Sequence, residues 1–377
     1  MSFIINIARD DLLNTLSSIQ NITNKPSTIA ILNNFLLKTD NESIDITATD
    51  LEVAIKKKVP AEIISPGSIT LPSRKFFEIV KESTSETIYL EMGENNWVKI
   101  KTGSGNYNLA GLNSENFPSI PDYEEENLVN FPGLYIKDFI DKTVFSIAGD
   151  TESNFTLHGI LIEKDTNENN NNIFRMVSSD GHRLSLVEKK TQKDLSPFDL
   201  NQKTFLPKSG AQEVKKFCEN KEEIYIGLND KQAVLKDDSS LLIIRLMHGD
   251  FPNFNSLINK VNMENFFKID RKTLLSSIKR MNLFNEDNYH VVKWTINKES
   301  LTLSSQSLSI GSAKEEIAIE FSGEDMELGF NGRFFVEGLQ SMTSDEVKII
   351  INGQSYPCLI QSENEPDFTY LIMPMEL

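Results

Sequence analysis

The sequence predicts an α+β protein built from three repeated units, each with two helices and a set of antiparallel strands. Three observations predict it. One amphipathic helix recurs three times along the chain, a second helix follows each of these, and the segments between the helices switch to the alternating pattern of strands. A chain of 377 residues has the length of two or three ordinary domains, so three units of about 125 residues fit it.

The first helix of each unit is predicted by apolar residues that fall on one helical face. In 10–20 these residues are spaced i, i+1, i+4 and i+7, and 271–281 repeats that spacing. The stretch 136–147 carries a looser version of the same stripe. The predicted second helices are 73–83, 208–220 and 331–342.

The segments between the helices alternate apolar and polar residues, as do strands joined by turns that contain Asn, Gly or Asp. The polar tract 164–172 interrupts the middle unit and is interpreted as a solvated loop. The stretches 115–127 and 249–260 resemble each other, and each closes a repeat. The predicted domains are 1–126, 127–262 and 263–377.

Composition and charge exclude several functional classes. A formal net charge of -17 at pH 7 repels nucleic acid on average, so DNA contact would require a local basic face. The sequence has no run of about 18 apolar residues and no export signal. Its cysteines, Cys218 and Cys358, have neither a metal nor a redox spacing. We therefore expect a cytoplasmic protein with no membrane segment, no cofactor and no metal.

The stretch "SSDGHRLSL" at 178–186 admits three interpretations. Asp180 and His182 flank a glycine and could form the acid–base pair of a hydrolase, although no serine here lies on a glycine-flanked elbow. Asp-Gly is also a strong hairpin signal, with His182 and Arg183 beside the turn. In the third interpretation, His182 and Arg183 form the polar wall of an apolar peptide groove. The apolar segment 370–374 is then either a last buried strand or a part of that groove.

Motifs distributed along the whole chain resemble those of one known family. They are "TATDLEV", "LPSRKFFEIV", "NLAGLNSENFPSI", "TLHGILIE", "SSDGHRLSL", "GDFPNF", "MELGFN" and the final "YLIMPMEL". The family is the bacterial sliding clamp, the β subunit of the replicative DNA polymerase. The resemblance implies a head-to-tail homodimer in which six similar domains close a ring, with helices lining the hole and sheets outside.

The same resemblance implies a docking groove for short peptides that have a glutamine near the start and leucine or phenylalanine near the end. Ser256 and Glu376 stand where many relatives carry arginine, so the charge preference among partners is open. The implied groove residues are Leu157, Ser179, Gly181, His182, Arg183, Leu184, Pro252, Leu257, Pro357, Leu371, Ile372, Met373, Pro374, Met375 and Leu377.

Contacts with DNA and with a second copy of the chain are implied as well. The predicted helices carry local clusters of Lys and Arg, which would give the hole a positive lining inside an acidic body. Contact at Asp150 is open, since relatives carry a neutral polar group nearby. The implied DNA-binding residues are Lys25, Arg74, Phe155 and Lys208. The implied dimer interface comprises Lys75, Tyr107, Leu283, Phe284, Glu315 and Glu316, and it should depend more on apolar contact than on ion pairs.

The sequence therefore predicts a processivity factor, not an enzyme. Its expected partners are a second copy of itself, double-stranded DNA through the ring, and the replicative polymerase subunit, clamp loader and repair polymerases through short peptide motifs. The first alternative is a peptide-binding scaffold of the same fold that does not encircle DNA, against which the basic helices count. The second is a hydrolase that uses Asp180 and His182, which the missing nucleophile elbow disfavours.

Overall fold

The computed structural model describes most of the chain and divides it into two compact units. The described ranges are 3–25, 27–149, 155–166, 172–285, 291–307 and 309–377, with only the backbone of residues 155 and 156. The N-terminal unit comprises Met1–Gly133, Pro197–Asp199 and Asn220–Leu246. The C-terminal unit comprises Leu134–Ser196, Leu200–Glu219 and Met247–Leu377.

The elements follow the alternation of helices and strand groups that the sequence predicts. The helices are α1 Arg9–Thr23, α2 Ser73–Glu82, α3 Gly133–Asp141, α4 Lys208–Cys218, α5 Phe254–Ile258, α6 Arg271–Asn282 and α7 Gly332–Ser341. The strands are β1 Ile4–Ala8, β2 Asn34–Asp40, β3 Ser43–Thr49, β4 Val53–Ser65, β5 Ser68–Pro72, β6 Thr87–Met92, β7 Trp97–Thr102, β8 Gly105–Ala110, β9 Val129–Pro132, β10 Gly159–Thr166, β11 Asn172–Ser179, β12 Arg183–Thr191, β13 Thr204–Pro207, β14 Glu223–Leu228, β15 Gln232–Lys236, β16 Ser240–Arg245, β17 Met247–His248, β18 Phe266–Asp270, β19 Val291–Ile296, β20 Ser300–Ser307, β21 Gly311–Ala318, β22 Met326–Asn331, β23 Glu346–Ile350, β24 Cys358–Gln361 and β25 Phe368–Ile372.

The described strands of the N-terminal unit form one antiparallel sheet. Its main path is β8-β7-β6-β1-β4-β16-β15-β14-β9, and β3, β2 and β5 continue from β4. Strand β7 has the predicted period of two, since Val98 and Ile100 are buried while Trp97 is exposed. Helix α1 packs on β1, β3 and β4 and against α2, and it buries Leu16 while α2 buries Phe76.

The described strands of the C-terminal unit form two sheets. The larger has the order β17-β13-β10-β11-β12-β25-β24-β23-β18, and the smaller has the order β21-β20-β19-β22. Helices α6 and α7 pack together beside these sheets, around the fully buried Trp294 and Phe335. Each helix starts at a capping side chain, since Asp270 accepts a hydrogen bond from the amide of Thr273 at 2.7 Å before α6 and Asn331 caps α7.

The α+β fold class and the six predicted helices are confirmed, with two corrections. The stretch predicted as a helix at 136–147 is helical only to Asp141, because the backbone then tightens into a 3₁₀ turn at Val144–Ser146. The tract 164–172 is not all loop, because residues 164–166 complete β10 and Thr166 pairs with Asn172 of β11. Among the described residues, no helix is long and apolar enough to span a membrane. The three domain boundaries stay predictions.

A buried ion pair fastens the end of α3 to the loop between β24 and β25. The side-chain amine of Lys142 lies 3.0 Å from Glu365, and both residues are buried. Glu365 also accepts hydrogen bonds from the amides of Thr343 at 2.9 Å and Ser344 at 2.8 Å. Burial raises the pKa of Glu365, but the hydrogen bonds from Ser344 and Lys142 outweigh it and lower this pKa to about 2.

This lowered pKa predicts how the stability of the Glu365→Gln variant depends on pH. The carboxylate stabilises the fold fully above its ordinary pKa of 4.5, and that contribution is lost as the pH falls towards about 2. At neutral pH the variant should be less stable by roughly 3 kcal/mol, because the buried Lys142 loses the nearer of two carboxylates and keeps that of Asp138, 3.2 Å away. Urea unfolding of both proteins at several pH values should show this difference shrinking below pH 4.5. A difference that is constant down to pH 2.5 would contradict the assignment.

Candidate functional site

Strands β11 and β12 form a hairpin with a tightly hydrogen-bonded turn. Gly181 has a positive φ of 87°, a conformation that favours glycine. One carboxylate oxygen of Asp180 accepts hydrogen bonds from the amides of His182 at 3.0 Å and Arg183 at 3.1 Å. The hydroxyl of Ser179 donates to the carbonyl of Arg183 at 2.7 Å and accepts from the amide of Gly181 at 3.1 Å. The hairpin interpretation of 178–186 is therefore confirmed as the local structure.

The side chains of this hairpin are not arranged as an acid–base pair. The carboxylate of Asp180 is directed at the turn amides and at the guanidinium of Arg183, 2.9 Å away. The imidazole of His182 is exposed and has no hydrogen-bond partner in the part of the chain that the structure describes. The hydroxyl of Ser178 donates to the carbonyl of Thr143 at 2.5 Å. Among the described residues, no cluster of three or more His, Cys, Asp or Glu could hold a metal ion.

Pairing between β12 and β25 gives the hairpin two different faces. Arg183 lies opposite Ile372, and Leu184 lies opposite Leu371. Because side chains alternate along a strand, Leu184 and Leu371 point to one side of the sheet. Arg183 and Ile372 point to the other side, where Tyr370 packs against helix α7.

The guanidinium of Arg183 is enclosed on that second side. It lies 2.5 Å from Glu337 of α7, donates to the carbonyl of Phe145 at 2.7 Å, and covers the ring of Phe334 at 4.3 Å. With Asp180 at 2.9 Å, these contacts leave the side chain only 6% exposed. Arg183 was predicted from sequence as a groove wall, and the structure directs its charged end towards α7.

Five predicted groove residues meet in one apolar cluster on the first side of the sheet. We call them the docking cluster: Leu157, Leu184, Leu257, Leu371 and Met373. Leu157 directly before β10, Leu184 of β12 and Leu371 of β25 are buried. Leu257 of α5 and Met373 are partly buried against them. Four separate segments of the chain thus contribute to one patch, whose outer members remain accessible.

The C-terminal tail is held beside this cluster by backbone hydrogen bonds. The amide of Met373 donates to the carbonyl of His182 at 2.8 Å, and the amide of Met375 donates to the carbonyl of Gly329 at 2.8 Å. The side chain of Gln354 donates to the carbonyl of Met375 at 3.0 Å. Leu377 follows with 64% of its surface exposed. The segment 370–374 is therefore both a buried strand, as far as Ile372, and an accessible tail beyond it.

The other predicted groove positions lie at the rim or beneath it. Pro252 is exposed before α5, Pro374 is half-buried and Pro357 is buried before β24. The two positions that depart from the family pattern, Ser256 and Glu376, are both exposed. No arginine therefore occupies the rim at these two places.

Sequence reasoning missed the aromatic support of the docking cluster. Phe205, Phe251 and Phe254 belong to the same apolar cluster and contact one another in series, with ring centroids 5.9 Å and 6.2 Å apart. Two of them lie in "GDFPNF", a motif already recognised in the sequence, from which only Pro252 was selected. This motif could therefore have been used to predict Phe251 and Phe254 as part of the site.

In the N-terminal unit, the predicted DNA-binding and interface lysines and arginine all have acidic neighbours. Lys25 lies 2.5 Å from Asp50. Arg74 and Lys75 of α2 lie 3.3 Å and 2.8 Å from Glu78, one turn further along the helix. Arg74 nevertheless keeps 82% of its side chain exposed. These side chains are accessible, but part of their charge is compensated locally.

In the C-terminal unit, Arg280 of α6 is compensated in the same way. On α6, Arg280 lies 2.5 Å from Glu315 of β21, and Arg271 donates to the carbonyls of Leu339 at 2.9 Å and Ser344 at 2.6 Å. The net positive charge available at α6 is therefore smaller than its sequence suggests.

Three further residues were considered from the sequence for contact with DNA, and the structure describes the side chain of one of them. Lys208 is the first residue of α4 and is partly exposed. Asp150 and the side chain of Phe155 lie outside the described residues.

Most of the predicted interface residues lie on or near two edge strands, one in each unit, while Lys75 lies on helix α2. Tyr107 is on β8, which is the first strand of the main path of the sheet in the N-terminal unit, and it is 42% exposed. Glu315 and Glu316 are on β21, the edge of the smaller sheet in the C-terminal unit. Leu283, directly after α6, is 70% exposed, and Phe284 beside it is partly exposed. Glu315 was predicted to lie in the dimer interface, and Arg280 of the same chain pairs with it.

Comparison with known proteins identifies the same family from end to end. Residues 1–121, 131–253 and 260–376 match the models of the N-terminal, central and C-terminal domains of the DNA polymerase III beta subunit. The beta sliding clamp of Chlamydia pneumoniae is 28% identical over 379 residues, which span 100% of this chain and 99% of that protein. The beta sliding clamp of Bacillus subtilis is 27% identical over 381 residues, with 98% of each covered.

Solved structures share the fold. The crystal structure of the beta sliding clamp of C. crescentus superposes with a TM-score of 0.93 at 24% identity, covering 100% of this chain and 99% of that one. The sliding clamp of Bacillus subtilis gives a TM-score of 0.91 at 24% identity, with 100% of both chains covered. The three domain models in unbroken order, together with relatives aligned over their full length, assign this chain to the family of DNA polymerase III beta subunits, the bacterial sliding clamps.

Proposed function

We propose that two copies of this chain close a ring around duplex DNA, and that the ring tethers polymerases and other replication proteins through short peptides bound at the docking cluster. The ring acts by effective concentration and not by catalysis. A polymerase tethered to a closed ring rebinds its template as an intramolecular event, so it does not diffuse away between synthesis steps.

The observation that carries this proposal is the convergence of four chain segments on the docking cluster. Such a patch offers apolar surface to a leucine or phenylalanine side chain, while the exposed imidazole of His182 supplies a polar group at the rim. Met373 at its edge is an adaptable packing group, which suits a surface that accepts several peptides. The absence of an Asp180–His182 pair within the described hairpin supports binding over hydrolysis.

Two observations favour the proposed ring: the edge strands and the charge distribution. Strands β8 and β21 each have one neighbour within their described sheets, so each has backbone groups free to pair with another copy. A chain with net charge -17 would hold DNA weakly by surface contact. Enclosure holds DNA without many phosphate contacts, and it therefore leaves the ring free to slide.

Deleting the last five residues, Met373–Leu377, should abolish peptide binding. The deletion removes one member of the docking cluster and the tail beside it, and buried apolar anchors are worth about 2 kcal/mol or more each. The truncated protein should stay folded and dimeric, with a mass near twice 42.7 kDa. Fluorescence polarisation with a Gln-Leu-Ser-Leu-Phe peptide measures the loss. His182→Ala should weaken the same peptide modestly, and unchanged affinity in the truncated dimer would refute the groove.

Topological holding predicts a difference between circular and linear DNA. After loading, the dimer should remain with nicked circular DNA through gel filtration and should run off once the circle is cut. Direct binding to a short linear duplex should be weak and should decrease further with salt. Equal retention on the circular and the linearised DNA would show that the protein holds DNA by surface contact instead.

The proposed seam predicts that Leu283→Ala combined with Phe284→Ala gives monomers. If both side chains are packed against a second copy, each truncation removes roughly 2 to 5 kcal/mol of burial. Leu134→Ala is the matched control, since Leu134 is a leucine of α3 with a similar exposure of 68% and lies outside the proposed seam. Sedimentation at low micromolar concentration should distinguish them, and an unchanged dimer in the double variant would exclude this seam.

A further inference from the structure

The hairpin of β11 and β12 is held from the side of the sheet opposite the docking cluster. The backbone of Arg183 belongs to the turn, since its amide donates to Asp180 and its carbonyl accepts from Ser179. Its side chain crosses to the helix side and ends 2.5 Å from Glu337 of α7. One residue therefore joins the turn that carries His182 to a helix that is distant in sequence.

Helix α7 is a firm anchor for that contact. Gly338 lies so close to the ring of Tyr370 that an added Cβ would come within 2.2 Å of a ring carbon. The hydroxyl of Tyr370 also donates to the carbonyl of Phe334 at 3.0 Å. Because Tyr370 is a residue of β25, the position of α7 is fixed relative to the strand that pairs with the hairpin.

Glu337 is held ionised in this position by two arginines. Its other carboxylate oxygen accepts from Arg333, 2.7 Å away and exposed on the same helix. Burial raises the pKa of Glu337, but the hydrogen bond from Arg333 and the charge of Arg183 outweigh it, so the pKa lies below its ordinary value. The buried guanidinium thus faces a full negative charge at neutral pH.

We propose that Glu337 is a positioning residue for the docking groove: through Arg183 it holds the hairpin so that His182 and Leu184 stand at the groove in the geometry that a peptide requires. The inference rests on the proposed peptide-binding function of the docking cluster. Asp180 cannot replace Glu337 in this role, because Asp180 belongs to the same turn and moves with it. Without the carboxylate of Glu337, the ionic link between the turn and α7 is lost.

The test compares Glu337→Gln with a control that loses a more deeply buried acid elsewhere in the same unit. That control is Glu365→Gln, since the contacts of Glu365 with Lys142 and two loop amides do not involve the hairpin. In fluorescence polarisation with the Gln-Leu-Ser-Leu-Phe peptide, Glu337→Gln should bind about five- to tenfold more weakly, because coupled polar contacts are worth this order of change. Glu365→Gln should bind like the wild type although its melting temperature falls. If Glu337→Gln does not fold, Glu337→Asp, which keeps the charge but is shorter, should show a smaller loss in the same assay.

A double-mutant cycle separates positioning from general destabilisation. His182→Ala should cost less affinity in the Glu337→Gln background than in the wild type, because the imidazole is already displaced there. In the Glu365→Gln background, its cost should be the full wild-type value. Additive losses of His182→Ala and Glu337→Gln, or equal affinities of the two Gln variants, would overturn the inference. A wild-type protein that does not bind the peptide at all would instead overturn the proposed function on which the inference rests.

Discussion

The antiparallel pairing of β12 with β25 is the constraint on which the rest of the site depends. It joins a hairpin from the middle of the chain to its last strand, and it sets the register in which Leu184 lies opposite Leu371. A slip of one residue would exchange the two faces of β25 and direct Tyr370 at the docking cluster. The apolar patch, the enclosed Arg183 and the packing of α7 all require this single register, so the proposed binding surface is a direct consequence of how the strands join.

Electrostatics in this chain act mainly over short distances. Several basic side chains of the helices are paired with acids at contact distance, as Arg74 is with Glu78 and Arg280 is with Glu315. Exposed pairs of this kind contribute little to stability, but they reduce the field that a helix presents to a phosphate backbone. A weak local attraction within an acidic body suits a protein that must stay on DNA without gripping it. It also means that retention would have to come from a closed ring.

The sequence predicts the elements well and the site only in part, for physical reasons. The helices can be predicted because a hydrophobic period of 3.6 residues appears within a short stretch of sequence, as in 271–281. The turn at Asp180 can be predicted because Asp-Gly favours a tight turn. The docking cluster depends on packing between segments as far apart in sequence as those of Leu157 and Met373, which no local pattern encodes; the family resemblance identified these residues. The direction of Arg183 depends on strand register, so a residue list could not reveal that its charge faces α7. The sequence predicted a helix as far as 147 because a switch from an α-helix to a 3₁₀ turn leaves the apolar spacing almost unchanged.

The site combines a rigid wall with an adaptable edge, and this division follows from where hydrogen bonds are satisfied. In the turn, the amides of Gly181, His182 and Arg183 already have side-chain acceptors, so a bound peptide need not order them. Peptide binding at the proposed site would therefore avoid the entropic cost of fixing that backbone. Directly beside the turn, Met373 is hydrogen-bonded through its backbone to His182, and its partly buried side chain is a flexible packing group. A groove of this kind fixes where a peptide lies through its rigid wall, while it accepts differences in the peptide's apolar end. That is the property a single surface needs when several proteins must use it in turn.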